Sequence, residues 1–263
     1  MTPDSNPAAA AVPAHAPPIS AGLLTFDNLT IGYDRHPAVH HLSGSFRPGS
    51  LTAIAGPNGA GKTTLLKTVT GLLRPIHGEV RLTAISRRDI AYLPQQAEID
   101  RSFPISVADA VAMGHWRKIG AFGGITGALM RQTRLALSAV GLQGFDKRPV
   151  GSLSVGQFQR MLFARLLLQE AKLIILDEPF AAIDAKTTND LLGLVLRWQG
   201  EGRTVIAVLH DLEQIRGFFP ETLLLAREPI GWGPTAEILT PDNLGRARAM
   251  IEAWDEQAEW CRR

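Results

Sequence analysis

Gly56-Pro57-Asn58-Gly59-Ala60-Gly61-Lys62-Thr63 follows the apolar run Leu51–Ala55 and opens a stretch of helical spacing from Lys62 to Leu73. This is the pattern G-x-x-x-x-G-K-[ST], set between a strand and a helix, where a phosphate-binding loop must sit. Glycines let the backbone curl until its N–H groups converge, and the helix start adds the positive end of its dipole. Lys62 offers a point charge to the β- and γ-phosphates of a nucleotide, and the Thr63 hydroxyl is a ligand for Mg²⁺. An incidental glycine turn would match the pattern in on the order of one chain in a hundred, and it would lack the flanking strand and helix.

Further along, Leu173-Ile174-Ile175-Leu176-Asp177-Glu178-Pro179 is an apolar strand that ends in two carboxylates. A strand end places Asp177 at the carboxyl edge of a sheet, where ligands of open α/β sheets bind. Asp177 would then hold Mg²⁺, directly or through water. Alternation along an extended segment points Glu178 the other way, which suits it to take a proton from an attacking water. A solvated strand end explains the pair equally well on its own; the phosphate loop upstream decides between them.

Outside these two segments the chain alternates strand and helix. Strand-like pieces are expected at Leu24–Ile31, Val80–Leu82, Ile90–Leu93 and Thr204–Leu209, and helices at Val107–Met113, Arg131–Val140, Gly156–Gln169 and Thr187–Trp198. The order implies an α/β core around a nucleotide loop, interrupted by a helical insertion. Composition agrees: 45% hydrophobic and 20% charged residues are ordinary for a globular domain, and a net charge of +2 gives no ground for nucleic-acid binding. The lone Cys261 forms no internal disulfide. Residues 1–22 are rich in Ala and Pro and lack a signal-peptide pattern, so they read as a disordered leader. No apolar run nears the roughly 20 residues of a membrane span. His36, His40 and His41 suggest a metal site, but Pro37 breaks any helix that would gather them and no carboxylate or cysteine completes the set. Trp254 and Trp260 read as packing for a short terminal helix.

Leu153-Ser154-Val155-Gly156-Gln157, followed by Gln159-Arg160, stands about twenty residues before the acidic pair. It resembles the L-S-G-G-Q signature of ABC transporter ATPases, and the resemblance runs from Leu24 to about Leu244. It implies a P-loop NTPase (RecA-like) core with an antiparallel β subdomain and an inserted α-helical signature subdomain. The cassette would span residues 23–245, with the helical subdomain at about 97–165 and a short helical tail at 246–263. ATP would lie against Tyr33, stacked on adenine, and against Gly56, Pro57, Asn58, Gly59, Ala60, Gly61, Lys62, Thr63 and Thr64. Gln95 matches the Q-loop glutamine, which reaches Mg²⁺ together with Thr63 and Asp177. Lys62, Gln95, Glu178 and His210 would form the catalytic set, with His210 as the switch histidine. Two such chains would dock head to tail around two ATP molecules, so that Ser154, Gly156, Gln157 and Asp184 of one complete the site of the other. Val155 stands where the family has glycine; if that position needs φ > 0, a β-branched residue is strained there and slows the enzyme.

The stretch from Ile99 to Gly114, with Phe103-Pro104-Ile105-Ser106-Val107, is similar to the ATPases of zinc and manganese uptake systems, as are Pro179–Asp184 and Gly233–Thr240. That likeness implies an integral membrane permease as partner, a periplasmic or extracellular substrate-binding protein reached through it, and a peripheral place on the cytoplasmic face of the inner membrane. Zinc is the preferred cargo over manganese, and iron-chelate importers share the layout. A non-transport ABC protein of DNA repair or translation usually joins two cassettes in one chain, and this chain has one. A regulatory module without turnover would not need both Glu178 and His210. The apolar surface of Phe103, Pro104, Ile105 and Val107 either receives a helix of the permease or packs beneath the insertion.

Overall fold

The computed structural model describes residues 22–33, 36–95, 100–120 and 123–252. The readings for the leader before Gly22, for 96–99 and for Trp254, Trp260 and Cys261 lie outside the described residues. Strands β1 (Leu24–Tyr33) and β2 (His36–Phe46) pair antiparallel. The next strand, β3 (Leu51–Ala55), belongs to a second sheet and leads into α1 (Lys62–Thr70). Strand β4 (His77–Leu82) returns to β1, giving a three-stranded sheet in the order β2-β1-β4.

After β5 (Ile90–Leu93) the chain turns helical through α2 (Val107–Ala112), α3 (Trp116–Ile119), α4 (Gly127–Ala139) and α5 (Val155–Gln169). It re-enters the sheet at β6 (Leu173–Asp177), crosses by α6 (Ala185–Gly200) to β7 (Thr204–Val208), and continues through α7 (Leu212–Phe218) to β8 (Glu221–Ala226). Strand β9 (Glu228–Pro234), α8 (Thr235–Ile238) and α9 (Pro241–Glu252) follow. The larger sheet runs β5-β6-β7-β3-β8-β9, parallel from β5 to β8 and antiparallel at β9.

Central strands buried on both faces read as continuous apolar runs, and β3, β6 and β7 are buried at every position. Alternation then divides the core in two. Ile54, Ile175, Ile206, Val208, Leu223 and Leu225 face the side that holds β1, β2 and α1. Ile174, Leu176, Val205, Ala207 and Leu224 face the side that holds α5 and α6. There Trp198 of α6 stacks on Phe163 of α5, with ring centroids 5.6 Å apart and 10° between planes. Phe180, just past β6, lies 6.3 Å from the same Phe163 ring. The segment after the acidic pair is thereby anchored to α5.

Several elements differ from the sequence reading. Helix α1 ends at Thr70, not Leu73, because Gly71 takes φ 82° and its N–H caps the carbonyls of Lys67 and Thr68. Helix α4 starts at Gly127, four residues early, since the Thr126 side chain caps it. Helix α5 starts at Val155, not Gly156. The feared strain at Val155 does not arise: the position is the first helical residue and is not among those with positive φ. Strand β2 was not expected, since His36, Pro37, His41 and Gly44 carry little β preference; β8 and β9 were missed as well. Its histidines do not converge: His40 is buried, whereas His41 turns its Nδ1 to Asn28 Oδ1 at 2.8 Å.

Truncating Trp198 to Ala removes the ring that joins α5 to α6. It should destabilise the chain by about 3–5 kcal/mol. Urea unfolding followed by circular dichroism would show the midpoint fall at an unchanged m-value.

Candidate active site

The phosphate loop is confined at its two ends, where Gly56 and Gly61 have no room for a side chain. At Gly56 (φ 148°) an added Cβ would stand 1.9 Å from the carbonyl oxygen of Leu225 on β8. At Gly61 (φ 92°) it would stand 2.4 Å from Val39 Cγ2 and 2.5 Å from the Ala38 carbonyl on β2. Both positions also need backbone that L-residues avoid. Gly61 is the N-cap of α1, and no side chain caps that helix start or places a carboxylate in its first turn. The N–H groups there are left for an anion.

Lys62 is buried and curls back over the loop, donating from Nζ to the carbonyls of Gly56 and Pro57, each at 2.9 Å. Burial lowers its pKa from the ordinary lysine value, while the charges of Glu178 and Asp177 act in the opposite sense. Asp177 is 1% exposed at the end of β6, and its charge favours the protonated Lys62. Thr63 and Thr64 are half-buried in the first turn of α1.

Glu178 does not continue the strand. It takes φ 49°, a left-handed conformation in which its direction is set by the turn and not by strand alternation. Its amide still donates to the Val208 carbonyl at 3.2 Å. Both carboxylate oxygens are engaged: Gln95 Nε2 donates to Oε2 at 2.9 Å, and His210 Nε2 donates to Oε1 at 2.5 Å. His210 follows β7, which pairs directly with β3; it is the acidic strand β6 that lies two places from the phosphate-loop strand. Tyr33 is 50% exposed at the end of β1, paired in register with His36 on the strand that walls Gly61.

The signature segment forms a second group. Ser154 caps α5 by accepting from the Gln157 N–H, and Gln157 Oε1 accepts from the Ser154 N–H at 3.0 Å, a reciprocal capping box. Gly156 lies against the start of α6: an added Cβ would be 3.8 Å from Asp184 Oδ2. Asp184 itself caps α6 through Thr187, and those hydrogen bonds, the Thr187 amide first, hold its carboxyl below the ordinary range. Two ties bind this group to the rest. Buried Gln159 donates to the Pro179 carbonyl at 2.7 Å, and Arg160 donates to Asp190 at 2.7 Å and to the Val140 carbonyl at 3.0 Å.

A sequence model of the ABC transporter family matches residues 39–181, from the strand that walls the phosphate loop to the segment after Glu178. The chain belongs to the ABC transporter family. Among its relatives, the manganese transport ATP-binding protein MntB of Bacillus subtilis is 37% identical over 83% of this cassette and 89% of its own length. The zinc transport ATP-binding protein TroB of Treponema pallidum is 38% identical over 84% and 85%. A metal-chelate type ABC transporter in an inward-facing conformation matches with TM-score 0.77 and 32% identity, over 86% of this chain and 89% of that one. A dimeric ATP-binding cassette holding ADP and phosphate matches with TM-score 0.71 and 25% identity, over 81% and 98%. The cassette is an ATPase of the P-loop fold. Among the described residues no helix is long and apolar enough to cross a membrane.

Sequence reading missed Val39 and Ala38 as the wall of the loop, because β2 was not visible in it. It also missed a cavity of about 290 Å³ where Pro57, Asn58 and His210 meet Leu244 and Arg248 of α9; only the fold brings the distant α9 there. Replacing Lys62 by Ala removes the nearest fixed cation and should weaken nucleotide binding at least about tenfold, as titration with a fluorescent ATP analogue would show.

Proposed function

We propose that the cassette hydrolyses ATP to energise import of a divalent metal ion, zinc or manganese, through a separate membrane permease at the cytoplasmic face. The cargo class rests on relatives named for manganese and zinc transport at 36–38% identity across most of the chain. The zinc and manganese names stand side by side among them, so the proposal keeps both ions. An iron-chelate cargo is the second reading, favoured by the likeness to a metal-chelate type transporter.

The observation that carries the mechanism is the placement of Glu178 between Gln95 and His210. The phosphate loop and Lys62 hold the triphosphate, with Tyr33 against the adenine. The Thr63 hydroxyl, the Asp177 carboxylate and the Gln95 amide oxygen form a hard-oxygen donor set that suits Mg²⁺. Held by these residues, Mg²⁺ would supply positive charge beside the β- and γ-phosphates. Glu178 accepts a proton from the water that attacks the γ-phosphorus, while His210 turns its N–H from Glu178 to a γ-phosphate oxygen. Two chains close head to tail, and the Ser154 hydroxyl and the Gly156 N–H of one reach the γ-phosphate on the other, with Gln157 and Asp184 alongside. A substrate-binding protein outside the membrane would deliver the ion to the permease, so the ion never touches this chain.

Glu178→Gln keeps the side-chain shape and one acceptor oxygen but cannot take the proton. ATP affinity should hold while turnover falls by ~10²–10⁴, and the ATP-bound pair should accumulate on a sizing column. Near-normal phosphate release would remove Glu178 from the role of base.

Of the four apolar residues, Val107 is fully buried and Ile105 packs against the core, so they lie beneath the insertion, whereas Phe103, 64% exposed, and Pro104 remain at the surface. This apolar surface is the proposed seat of a permease helix. Phe103→Asp should leave ATPase activity of the isolated cassette within about twofold, as expected for a surface change, and abolish copurification with the permease and metal uptake. Intact uptake would exclude the seat.

A further inference from the structure

Arg101 stands six residues after Gln95 and is not part of the catalytic set. Its guanidinium lies over the ring of Phe158, 4.6 Å from the centroid, and one Nη donates to the carbonyl of Leu153. The Nε is buried, and among the described residues Arg101 makes no ion pair. Leu153 and Phe158 are 4% and 1% exposed. With Ser154 as the cap of α5, Leu153 is the residue before the cap and Phe158 is the fourth helical residue. These are the two positions that a hydrophobic staple joins to fix the angle at which a chain enters a helix. Arg101 holds both at once, one by a hydrogen bond and one by its planar face.

The backbone around it supports the same tie. The Val150 amide donates to the Ile105 carbonyl at 3.0 Å, Ser106 bridges Pro149, and the Val107 amide donates to Arg148 at 2.9 Å. At Gly151 an added Cβ would be 3.1 Å from the Arg101 carbonyl. The segment that follows Gln95 therefore runs alongside the segment that delivers Ser154. On the other side, Gln159 ties α5 to Pro179, one residue past Glu178.

We infer that Arg101 is a positioning residue: its guanidinium clamps Leu153 and Phe158 so that the Ser154 hydroxyl and the Gly156 N–H are presented at the angle needed to meet ATP on a second copy of the chain. The inference rests on the two-chain ATP sandwich proposed above. A clamp on α5 has no contact with the nucleotide held by its own chain, so it acts on pairing and leaves first binding alone.

The test uses the full chain carrying Glu178→Gln, alone and combined with Arg101→Met or Arg101→Lys. Methionine keeps an apolar cover on Phe158 without donors; lysine keeps a charged donor without the planar face. Light scattering would read the ATP concentration for half-maximal pairing, fluorescent ATP the affinity of the single chain, and thermal melting the fold. Arg101→Met should raise the pairing concentration about tenfold, leave single-chain affinity within twofold, and be partly restored by lysine. Pairing at the parent's ATP concentration would overturn the clamp. So would a loss of pairing that tracks equal losses of melting temperature and single-chain affinity. If the Glu178→Gln parent itself stays single in ATP, the sandwich fails and the clamp with it.

Discussion

The loop from Gly56 to Thr63 lies against β8 at Gly56 and against β2 at Gly61, with no room for a side chain at either glycine. Gly56 approaches the Leu225 carbonyl and Gly61 approaches Val39 so closely that any side chain would push the strands apart. Close approach is what turns the N–H groups of the loop and of the first turn of α1 toward a common centre. It also explains why the antiparallel sheet of β1, β2 and β4 exists next to a parallel core: β2 is the second wall. The buried Lys62, folded onto the carbonyls of Gly56 and Pro57, fills the centre of the same loop.

Parts of this were legible in the sequence for physical reasons. Strands β3, β6 and β7 announce themselves because burial on both faces demands unbroken apolar runs. The phosphate loop and the acidic pair are local, with a spacing fixed by the chemistry of one ligand. Strand β2 was illegible because its pairing with β1 comes from register and tertiary cover, not from residues such as His36 or Gly44. The backbone of Glu178 departs from the extended strand assumed for it for a related reason. A left-handed turn at a non-glycine residue is imposed by surroundings, here the Val208 carbonyl and the Phe180 anchor, and no spacing rule signals it. Gln95, Glu178 and His210 were each found, but their meeting at one carboxylate emerged only from the fold.

The signature segment shows how one set of atoms can serve folding and chemistry. Ser154 and Gln157 satisfy each other's backbone in a capping box, which makes α5 start cleanly at Val155. That start leaves Val155 in ordinary helical backbone, so the departure from the glycine pattern costs no strain. Arg160 and Gln159 then join α5 to α6 and to the segment after Glu178, so that the start of the helix is tied to the end of the acidic strand.

The sheet order also sets a width. Because β7 separates β3 from β6, the phosphate loop and the Asp177 carboxylate emerge from strands about 9.5 Å apart, twice the spacing of hydrogen-bonded neighbours. Adjacent strands would leave a gap of about 5 Å, too narrow for the phosphate group and hydrated ion of the proposed function side by side. The intervening strand works as a spacer, and because His210 leaves its end, the histidine comes out in the middle of the opening it creates.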